Sequence, residues 1–255
     1  MTAVALRVED SGGSGDPVLL YHAIGCDHRM WDAVVPLLAP HFRLIRIDAR
    51  GHGRSPLTPR PYSLEQLADD ALVVLDRLRI EKAHCVGLSM GGMAGQAFAL
   101  AHPDRLGRLV IANSTSSYGP DGRSMWRSRI QLVEQGGLAA IQEMVMGRYF
   151  SEPFRANHPD IVTAVAERFL GTPAEGYLGC CDAISGLDFT ARLPSIEAAT
   201  LVIAGELDAG TPVSMSRVIA ASIPDARLAV IEGAAHLSAV EKPAEFACLI
   251  HDFLD

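Results

Sequence analysis

Three widely separated residues, Ser89, Asp208 and His236, carry functional groups that together could catalyse acyl transfer. A serine hydroxyl is a weak nucleophile, so it needs a base within hydrogen-bond reach and a third group that orients the base. An imidazole and a carboxylate can fill these two roles. Each residue also has an alternative interpretation, because Ser89 lies in a glycine-rich turn, Asp208 could cap a helix and His236 could be a polar loop residue.

Ser89 is the central residue of Gly87-Leu88-Ser89-Met90-Gly91, which separates an apolar run from an alanine-rich stretch. The pattern predicts a strand, a sharp turn and a helix, with the hydroxyl above the carboxyl end of the strand. The two glycines would allow strand and helix to approach closely. Acyl transfer also needs amides that face the developing oxyanion. We expect these donors to be Met90 and Ile24, the latter just after an apolar run at 17–23.

Asp208 and His236 each follow a short apolar run, at 199–204 and 227–231. In an open parallel sheet all carboxyl ends lie along one edge, so the loops that carry these residues are expected to meet the Ser89 turn. The order Ser, Asp, His is the one expected for a nucleophile on such a turn. Asp182 and Asp188 are rival acids, but neither follows a predicted strand.

Apolar runs at 3–9, 42–47 and 106–113 complete an alternation of strand and helix patterns. Such alternation predicts an α/β protein with a mostly parallel sheet and helices on both faces. A glycine-rich turn at 11–15 resembles a hairpin link between the first two strands. Helices are predicted at 30–38, 63–78, 212–221 and 243–253.

The alternation stops after about residue 114, and residues 119–188 contain only helical patterns. The sequence therefore predicts an α/β core formed by residues 1–118 and 189–255, with residues 119–188 inserted as a helical cap. Helical runs inside this insertion are expected at 124–134, 138–149, 159–170 and 173–184.

The 255 residues carry a formal net charge of −8, which gives no sign of an electrostatic nucleic-acid binder. No stretch approaches the roughly 18 uncharged apolar residues of a membrane span. The first twenty residues lack the apolar region of a secretory signal. We therefore expect a cytoplasmic protein without nucleic-acid or membrane partners, and the oligomeric state stays open.

The chain has five cysteines, at positions 26, 85, 180, 181 and 248, and no C-x-x-C pair. This odd set argues against a disulfide framework and against a zinc ribbon, so reduced thiols and no metal are predicted. Cys85 and Cys248 lie in apolar runs and are expected in the core, and Cys180 and Cys181 are expected to pack. The glycine-rich stretches lack the phosphate-binding lysine and the dinucleotide spacing, so no cofactor is predicted.

Two further histidines lie close to predicted strand ends. His52 is flanked by glycines in Asp48-Ala49-Arg50-Gly51-His52-Gly53-Arg54-Ser55, which is predicted to be a tight loop. A histidine in such a turn is more often structural than a catalytic base. His22, two residues before Ile24, is likewise expected to shape its loop.

These motifs together resemble the α/β-hydrolase superfamily over nearly the whole chain. The resemblance rests on Gly87-Leu88-Ser89-Met90-Gly91-Gly92, on the loop at 48–55, on Gly205-Glu206-Leu207-Asp208 and on Gly233-Ala234-Ala235-His236. It implies a Ser89, His236, Asp208 triad, an oxyanion hole formed by the Ile24 and Met90 amides, and a helical cap over the site.

Within the superfamily the chain is similar to 3-oxoadipate enol-lactonases. The similarity rests on the sequences at 24–31, 148–150 and 172–184. A lactonase that acts on a dicarboxylate-derived ring would need a cation for the free carboxylate, and a guanidinium can bind a carboxylate through two hydrogen bonds. The candidate cations are Arg123, Arg127 and Arg129, close to Trp126, although each could equally belong to a solvated basic face. Trp126, Arg127 and Tyr149 are our candidate substrate-binding residues.

The leading hypothesis is a serine hydrolase that opens a small lactone through an acyl-enzyme. A carboxylesterase or a C–C bond hydrolase with the same triad remains an alternative, since sequence separates these activities poorly. A third possibility, from another class, is a small-molecule receptor on this fold with weak hydrolase activity. Ser89 at the turn argues against haloalkane dehalogenases and epoxide hydrolases, which the resemblance associates with aspartate at that position.

Overall fold

The computed structural model describes residues 3–255, which contain one seven-stranded sheet in the order β1-β3-β2-β4-β5-β6-β7. The strands are β1 (Val8–Asp10), β2 (Pro17–Tyr21), β3 (Arg43–Ile47), β4 (Ala83–Leu88), β5 (Leu106–Ala112), β6 (Thr200–Gly205) and β7 (Arg227–Ile231). All neighbouring strands are parallel except β1 and β3, which are antiparallel. The structure thus confirms the predicted α/β class.

Helices follow most of the strands, as a parallel sheet requires. They are α1 (Val35–Leu38), α2 (Leu64–Arg77), α3 (Met90–Ala101), α4 (Gly119–Gly136), α5 (Gln142–Tyr149), α6 (Glu152–Asn157), α7 (Pro159–Leu170), α8 (Ala174–Ser185), α9 (Val213–Ser222), α10 (Ser238–Glu241) and α11 (Pro243–Leu254). Short 3₁₀ turns cover His28–Trp31, Pro103–Arg105, Leu138–Ile141 and Thr190–Ser195. The local sequence explains boundaries such as that of α2, where Ser63 and Gln66 form a reciprocal capping box.

The core lies between the sheet and the flanking helices. Every residue of β6 is buried, and so is every residue but one of β2 and of β4. Such continuously apolar strands are typical of a parallel sheet that is covered on both faces. This rigid centre fixes the positions of the loops at the carboxyl edge.

The predicted hairpin between the first two strands is wrong. β1 pairs with β3, with Val8 opposite Ile47. It has only three residues, the last two of the predicted run at 3–9 and Asp10. β2 has no free edge for a hairpin partner, because β3 and β4 pair with its two sides.

Two other local expectations are also wrong. The predicted helix at 30–38 is divided into the 3₁₀ turn at His28–Trp31 and the short helix α1. Pro36 explains the division, since proline cannot donate the hydrogen bond to the residue four positions earlier. Cys248 is exposed, because α11 turns the face with Phe246 and Ile250 toward the core.

The helices between β5 and β6, residues 119–185, include α6, which the sequence pattern did not reveal. We call this segment the cap. Its two connections to the sheet lie side by side, because Ser117 and Asp188 form an antiparallel bridge and the Phe189 amide donates to Ser116 O. Within residues 3–255, the helices are too short or too polar to cross a membrane.

A buried ion pair anchors the loop at 48–55. Arg50 Nε and Nη2 donate to the two carboxylate oxygens of Asp70 on α2, each over 2.7 Å, and both side chains are almost fully shielded from solvent. A bidentate contact of this kind fixes both the position and the plane of the guanidinium. The loop is therefore tied to the helix that covers the sheet.

Candidate active site

Ser89 lies at the turn between β4 and α3, in a backbone conformation that few side chains adopt. Its φ is +59°. A Cβ atom at Gly87 would lie 2.1 Å from Gly91 O, and one at Gly91 would lie 2.0 Å from Tyr21 O. Both positions therefore require glycine. A strained turn with this shape presents the serine hydroxyl above the sheet edge.

The side chains of Ser89, His236 and Asp208 form one hydrogen-bonded chain. The Ser89 hydroxyl donates to His236 Nε2 over 2.8 Å, and His236 Nδ1 donates to Asp208 Oδ2 over 2.8 Å. The residues come from three separate loops, and all three are buried. This arrangement would allow His236 to accept the Ser89 proton while the Asp208 carboxylate orients the imidazole.

Asp208 has more hydrogen-bond donors than the imidazole alone. Oδ1 accepts the backbone amides of Gly210 and Thr211, and Oδ2 accepts Thr211 Oγ1 at 2.7 Å and Asn113 Nδ2 at 3.0 Å. Burial by itself would raise the pKa of Asp208, but the facing His236 and these donors hold it well below its usual value. Asp208 is therefore an anion throughout the neutral range.

The amides of Ile24 and Met90 can serve as oxyanion donors. Ile24 lines the same cavity as Ser89 and His236, and among residues 3–255 its amide has no acceptor. Met90 is the first residue of α3, where backbone amides lie outside the helical hydrogen-bond ladder. Two donors near the nucleophile are what a tetrahedral oxyanion requires.

Two buried histidines support the strand ends beside the Ile24 loop. His22 Nε2 accepts the Ala49 amide and its Nδ1 donates to Ala23 O, over 2.8 and 2.7 Å. His52 Nε2 accepts the Gly25 amide over 2.9 Å. Burial lowers the pKa of both rings, that of His52 to about 3, so both are neutral. These contacts are consistent with the structural roles expected for both residues.

The cavity above Ser89 is narrow, at about 30 Å³. Its wall combines core and cap residues: Ile24, Ser89, Tyr118, Trp126, Arg129, Arg148, Tyr149, Gly210 and His236. The ring of Tyr149 is stacked on His236, with centroids 5.7 Å apart. Small-molecule sites usually enclose about 300–1,000 Å³, so we expect a substrate to displace side chains of the cap.

Two arginines of the cap reach this cavity. Arg129 is buried, and its guanidinium lies 4.9 Å from the Trp126 ring. Arg129 Nε and Trp126 Nε1 are buried without a hydrogen-bond partner among residues 3–255. Arg148 is half-buried, and burial together with the nearby Arg129 lowers its pKa. Arg148 Nη1 faces Met125 Sδ at 3.8 Å. Among residues 3–255 neither guanidinium has an acidic side chain within ion-pair distance, which is unusual for a cation as buried as Arg129.

Of the three candidate substrate-binding residues, Trp126 and Tyr149 line the cavity and Arg127 does not. Arg127 is exposed, and Arg123 forms an ion pair with Asp188. Helix phase explains the difference, because positions three apart share a face and adjacent positions do not. Trp126 therefore points to the same side as Arg129, and both line the cavity.

Sequence reasoning missed Asn113 and Arg148. Asn113 follows β5, the neighbour of both the Ser89 strand and the Asp208 strand, and the strand-end rule could have found it. Its φ of +46° turns the side-chain amide toward Asp208, and Ser238 Oγ donates to its Oδ1. Arg148 had only its position next to Tyr149 as a signal.

A second cavity, of about 550 Å³, is lined mainly by charged and polar groups, including Asp27, His28 and Asp48. Asp27, His28 and Asp48 have ligand atoms within 4.8 Å of one another there. Asp27 already accepts hydrogen bonds from Arg29, and Asp48 accepts the amides of His28 and Arg54. These oxygens are thus occupied by protein donors, and we assign no metal to the cluster.

The chain matches known proteins over nearly its whole length. Residues 16–243 match the family model for the alpha/beta hydrolase fold. The chain belongs to this family and is a hydrolase that acts on a small molecule.

Individual relatives define the similarity more closely. The chain is 34% identical to 3-oxoadipate enol-lactonase 2 of Acinetobacter baylyi over 95% of its own length and 90% of that protein. It is similar to the crystal structure of the enol-lactonase from Burkholderia xenovorans LB400, with 33% identity, a TM-score of 0.94 and coverage of 98% and 96% of the two chains. A malate-bound thermophilic esterase from Thermogutta terrifontis gives 32% identity, a TM-score of 0.92 and coverage of 98% and 92%.

Proposed function

We propose that this chain is a serine hydrolase that opens a small lactone bearing a free carboxylate, in the manner of a 3-oxoadipate enol-lactonase. The observation that carries the proposal is the continuous hydrogen-bonded chain from Ser89 through His236 to Asp208 below a cavity with two unpaired arginines. The first feature supports acyl transfer, and the second supports an anionic substrate.

The reaction begins when Ser89 Oγ attacks the ring carbonyl carbon and its proton passes to His236 Nε2. The Ile24 and Met90 amides stabilise the resulting oxyanion, and each such donor contributes about 10²–10³ in rate. Collapse of the intermediate breaks the ring C–O bond, and His236 returns the proton to the leaving oxygen. For an enol-lactone this gives an enol that converts to a ketone.

The leaving group stays attached to the acyl-enzyme, because a lactone contains the acyl group and the leaving oxygen in one molecule. Water then attacks the ester of Ser89, with His236 as the base, and the product acid is released. Asp208 keeps the imidazole oriented in both half-reactions and stabilises its protonated form. We propose that the cap, within the expected 119–188 insertion, excludes bulk water during these steps.

The carboxylate is assigned to Arg129 and Arg148. A buried guanidinium with an unpartnered Nε can bind a carboxylate through charge-assisted hydrogen bonds, and Trp126 Nε1 offers another donor. Similarity to two enol-lactonases and to an esterase with bound malate supports an acidic ligand.

A carboxylesterase is the second candidate. Similarity to the Thermogutta terrifontis esterase favours it, and the same Ser89 chemistry would hydrolyse an acyclic ester. The difference between the two functions lies in the leaving group, which an esterase must release before water enters.

The deciding experiment measures kcat/KM for 3-oxoadipate enol-lactone by the loss of its ultraviolet absorbance, alongside a series of short acyclic esters. We expect the lactone to be preferred and the Ser89→Ala variant to fold normally but to lose turnover. Preference for an acyclic ester by a wide margin would replace the lactonase proposal with the esterase. Turnover by Ser89→Ala at the parent rate would reject the mechanism itself.

A further inference from the structure

The turn that carries Ile24 spans four residues and is closed by one backbone hydrogen bond. The Cys26 amide donates to Ala23 O over 3.1 Å, and Gly25 has a φ of +71°. This is the pattern of a type II turn with Ile24 and Gly25 at its centre. A type I turn differs from it mainly by a flip of the central peptide. Glycine at the third position adopts either form without a steric penalty.

Both polar groups of that central peptide are held by side chains. The Tyr149 hydroxyl, at the end of α5 in the cap, donates to Ile24 O. From the core, His52 Nε2 accepts the Gly25 amide over 2.9 Å. Flipping the peptide would break both hydrogen bonds, and the buried Tyr149 hydroxyl and His52 Nε2 would lose these partners. Losing the partner of a buried polar group costs more free energy than losing an exposed hydrogen bond.

The two side chains are themselves fixed. The Tyr149 ring is stacked on His236, and the Leu237 amide donates to Tyr149 O over 2.9 Å. His52 Nδ1 faces Arg50 O at 3.3 Å, so Nε2 is the free acceptor.

The cap also touches the turn and the His52 loop directly. A Cβ at Gly25 would lie 2.6 Å from the Phe169 ring, and Gly176 of α8 approaches Gly51 so closely that a Cβ at position 51 would lie 2.4 Å from its Cα. The turn is thus held between the core and the cap.

We propose that Tyr149 and His52 are positioning residues that clamp the Ile24–Gly25 peptide from the cap and from the core, and so hold the Ile24 amide toward the oxyanion. The inference rests on the proposed acyl-transfer function. The peptide before Ile24 is already fixed at Ala23 O by His22 and by the Cys26 amide. The N–H of Ile24 belongs to that fixed peptide, and the clamp holds the peptide on the other side of Ile24. With both flanking peptides held, Ile24 keeps its position relative to Ser89.

The test uses p-nitrophenyl acetate, an activated acyclic ester, so that it depends on Ser89 chemistry and not on the lactone. Tyr149→Phe removes the donor but keeps the ring on His236, and His52→Leu removes the acceptor. We expect kcat to fall roughly tenfold in each, with KM within about twofold, because an orienting contact is worth less than an oxyanion donor. In the double variant, kcat should fall by more than the product of the two single decreases.

A second readout isolates the oxyanion hole. Phenylboronic acid adds to Ser89 as a tetrahedral adduct with an oxygen in that hole, whereas acetate binds as a planar anion. Affinity for phenylboronic acid should fall in parallel with kcat, and affinity for acetate should stay unchanged. The amide oxygen of the glutamine in His52→Gln can accept the Gly25 N–H, so this variant should have most of the kcat that His52→Leu loses. His52→Gln also keeps the test valid if His52→Leu does not fold.

Matched controls lie elsewhere in the chain. Tyr21→Phe removes a buried hydroxyl that has no partner among residues 3–255, and His84→Leu removes a ring nitrogen that accepts the Arg108 amide. Both should leave kcat near the parent value.

The clamp is overturned if kcat is unchanged in Tyr149→Phe and His52→Leu. It is also overturned if kcat falls while the affinity for phenylboronic acid stays the same. In both cases the hydrolase proposal stands. A parent protein that neither hydrolyses the ester nor binds phenylboronic acid would instead remove both proposals.

Discussion

Replacing Arg129 with methionine should separate recognition of the substrate's carboxylate from the chemistry at Ser89. Methionine keeps an extended side chain against Trp126 but removes the cation, whose Nε has no partner within residues 3–255. The loss should appear only with a charged substrate, because no other step of the proposed mechanism uses this guanidinium.

The size of the effect follows from the environment of Arg129. Two unit charges 4 Å apart attract each other by about 4 kcal/mol at an effective dielectric constant of about 20. Desolvation of the carboxylate offsets part of this, and hydrogen bonds to charged groups contribute about 1.5–3 kcal/mol net. Arg148 remains at the cavity wall, so we expect about 1.5–2 kcal/mol, or a decrease in kcat/KM of roughly 10- to 30-fold.

The assay compares the carboxylate-bearing enol-lactone with its neutral methyl ester on the parent, Arg129→Met and Arg127→Met. For Arg129→Met, kcat/KM should fall for the acid and change by less than about twofold for the methyl ester. The exposed Arg127 serves as the control and should leave both values unchanged. The free energy of unfolding of Arg129→Met should not decrease, since an unpaired buried charge is removed. Equal decreases for both substrates would refute the carboxylate assignment.

Three further predictions concern residues that support the site. Asn113→Gly tolerates the positive φ but removes a hydrogen bond to Asp208, so kcat should fall roughly 5- to 30-fold with little change in KM; steady-state kinetics with an unchanged kcat would contradict the role of Asn113. Burial lowers the pKa of His52 to about 3, so below about pH 6.5 the unfolded chain binds a proton that the folded protein excludes. Between about pH 6 and 4 the free energy of unfolding of the parent, from urea titrations, should therefore fall by about 1.4 kcal/mol per pH unit more than that of His52→Gln; parallel curves would show that His52 titrates normally. Asp70→Asn removes the carboxylate that neutralises the buried Arg50 and should lower the free energy of unfolding by about 3–5 kcal/mol, against less than about 1 kcal/mol for the half-exposed neighbour Asp69→Asn. Similar values for the two variants would contradict this assignment.

The fold and the approximate position of the site follow from local patterns. The strand, turn and helix around Ser89 could be predicted because an apolar run precedes the two glycines and the serine, and an alanine-rich run follows them. Asp208 and His236 could be added because carboxyl ends of parallel strands share one edge, whatever the exact packing of the helices. Where the local pattern was ambiguous, as for β1 and the helix broken at Pro36, the structure corrected it.

The sequence by itself therefore determined the α/β class, the chain order of the three polar residues and the family resemblance, because each depends on short motifs and on the strict alternation of strands and helices. Only the tertiary structure decided that Arg129 and Arg148, and not Arg127, face the cavity, and that Tyr149 and His52 hold the two ends of one peptide. The physical reason is that these contacts join segments that are far apart in the sequence. Their geometry depends on how the cap helices are rotated and packed against the core, which no local pattern encodes.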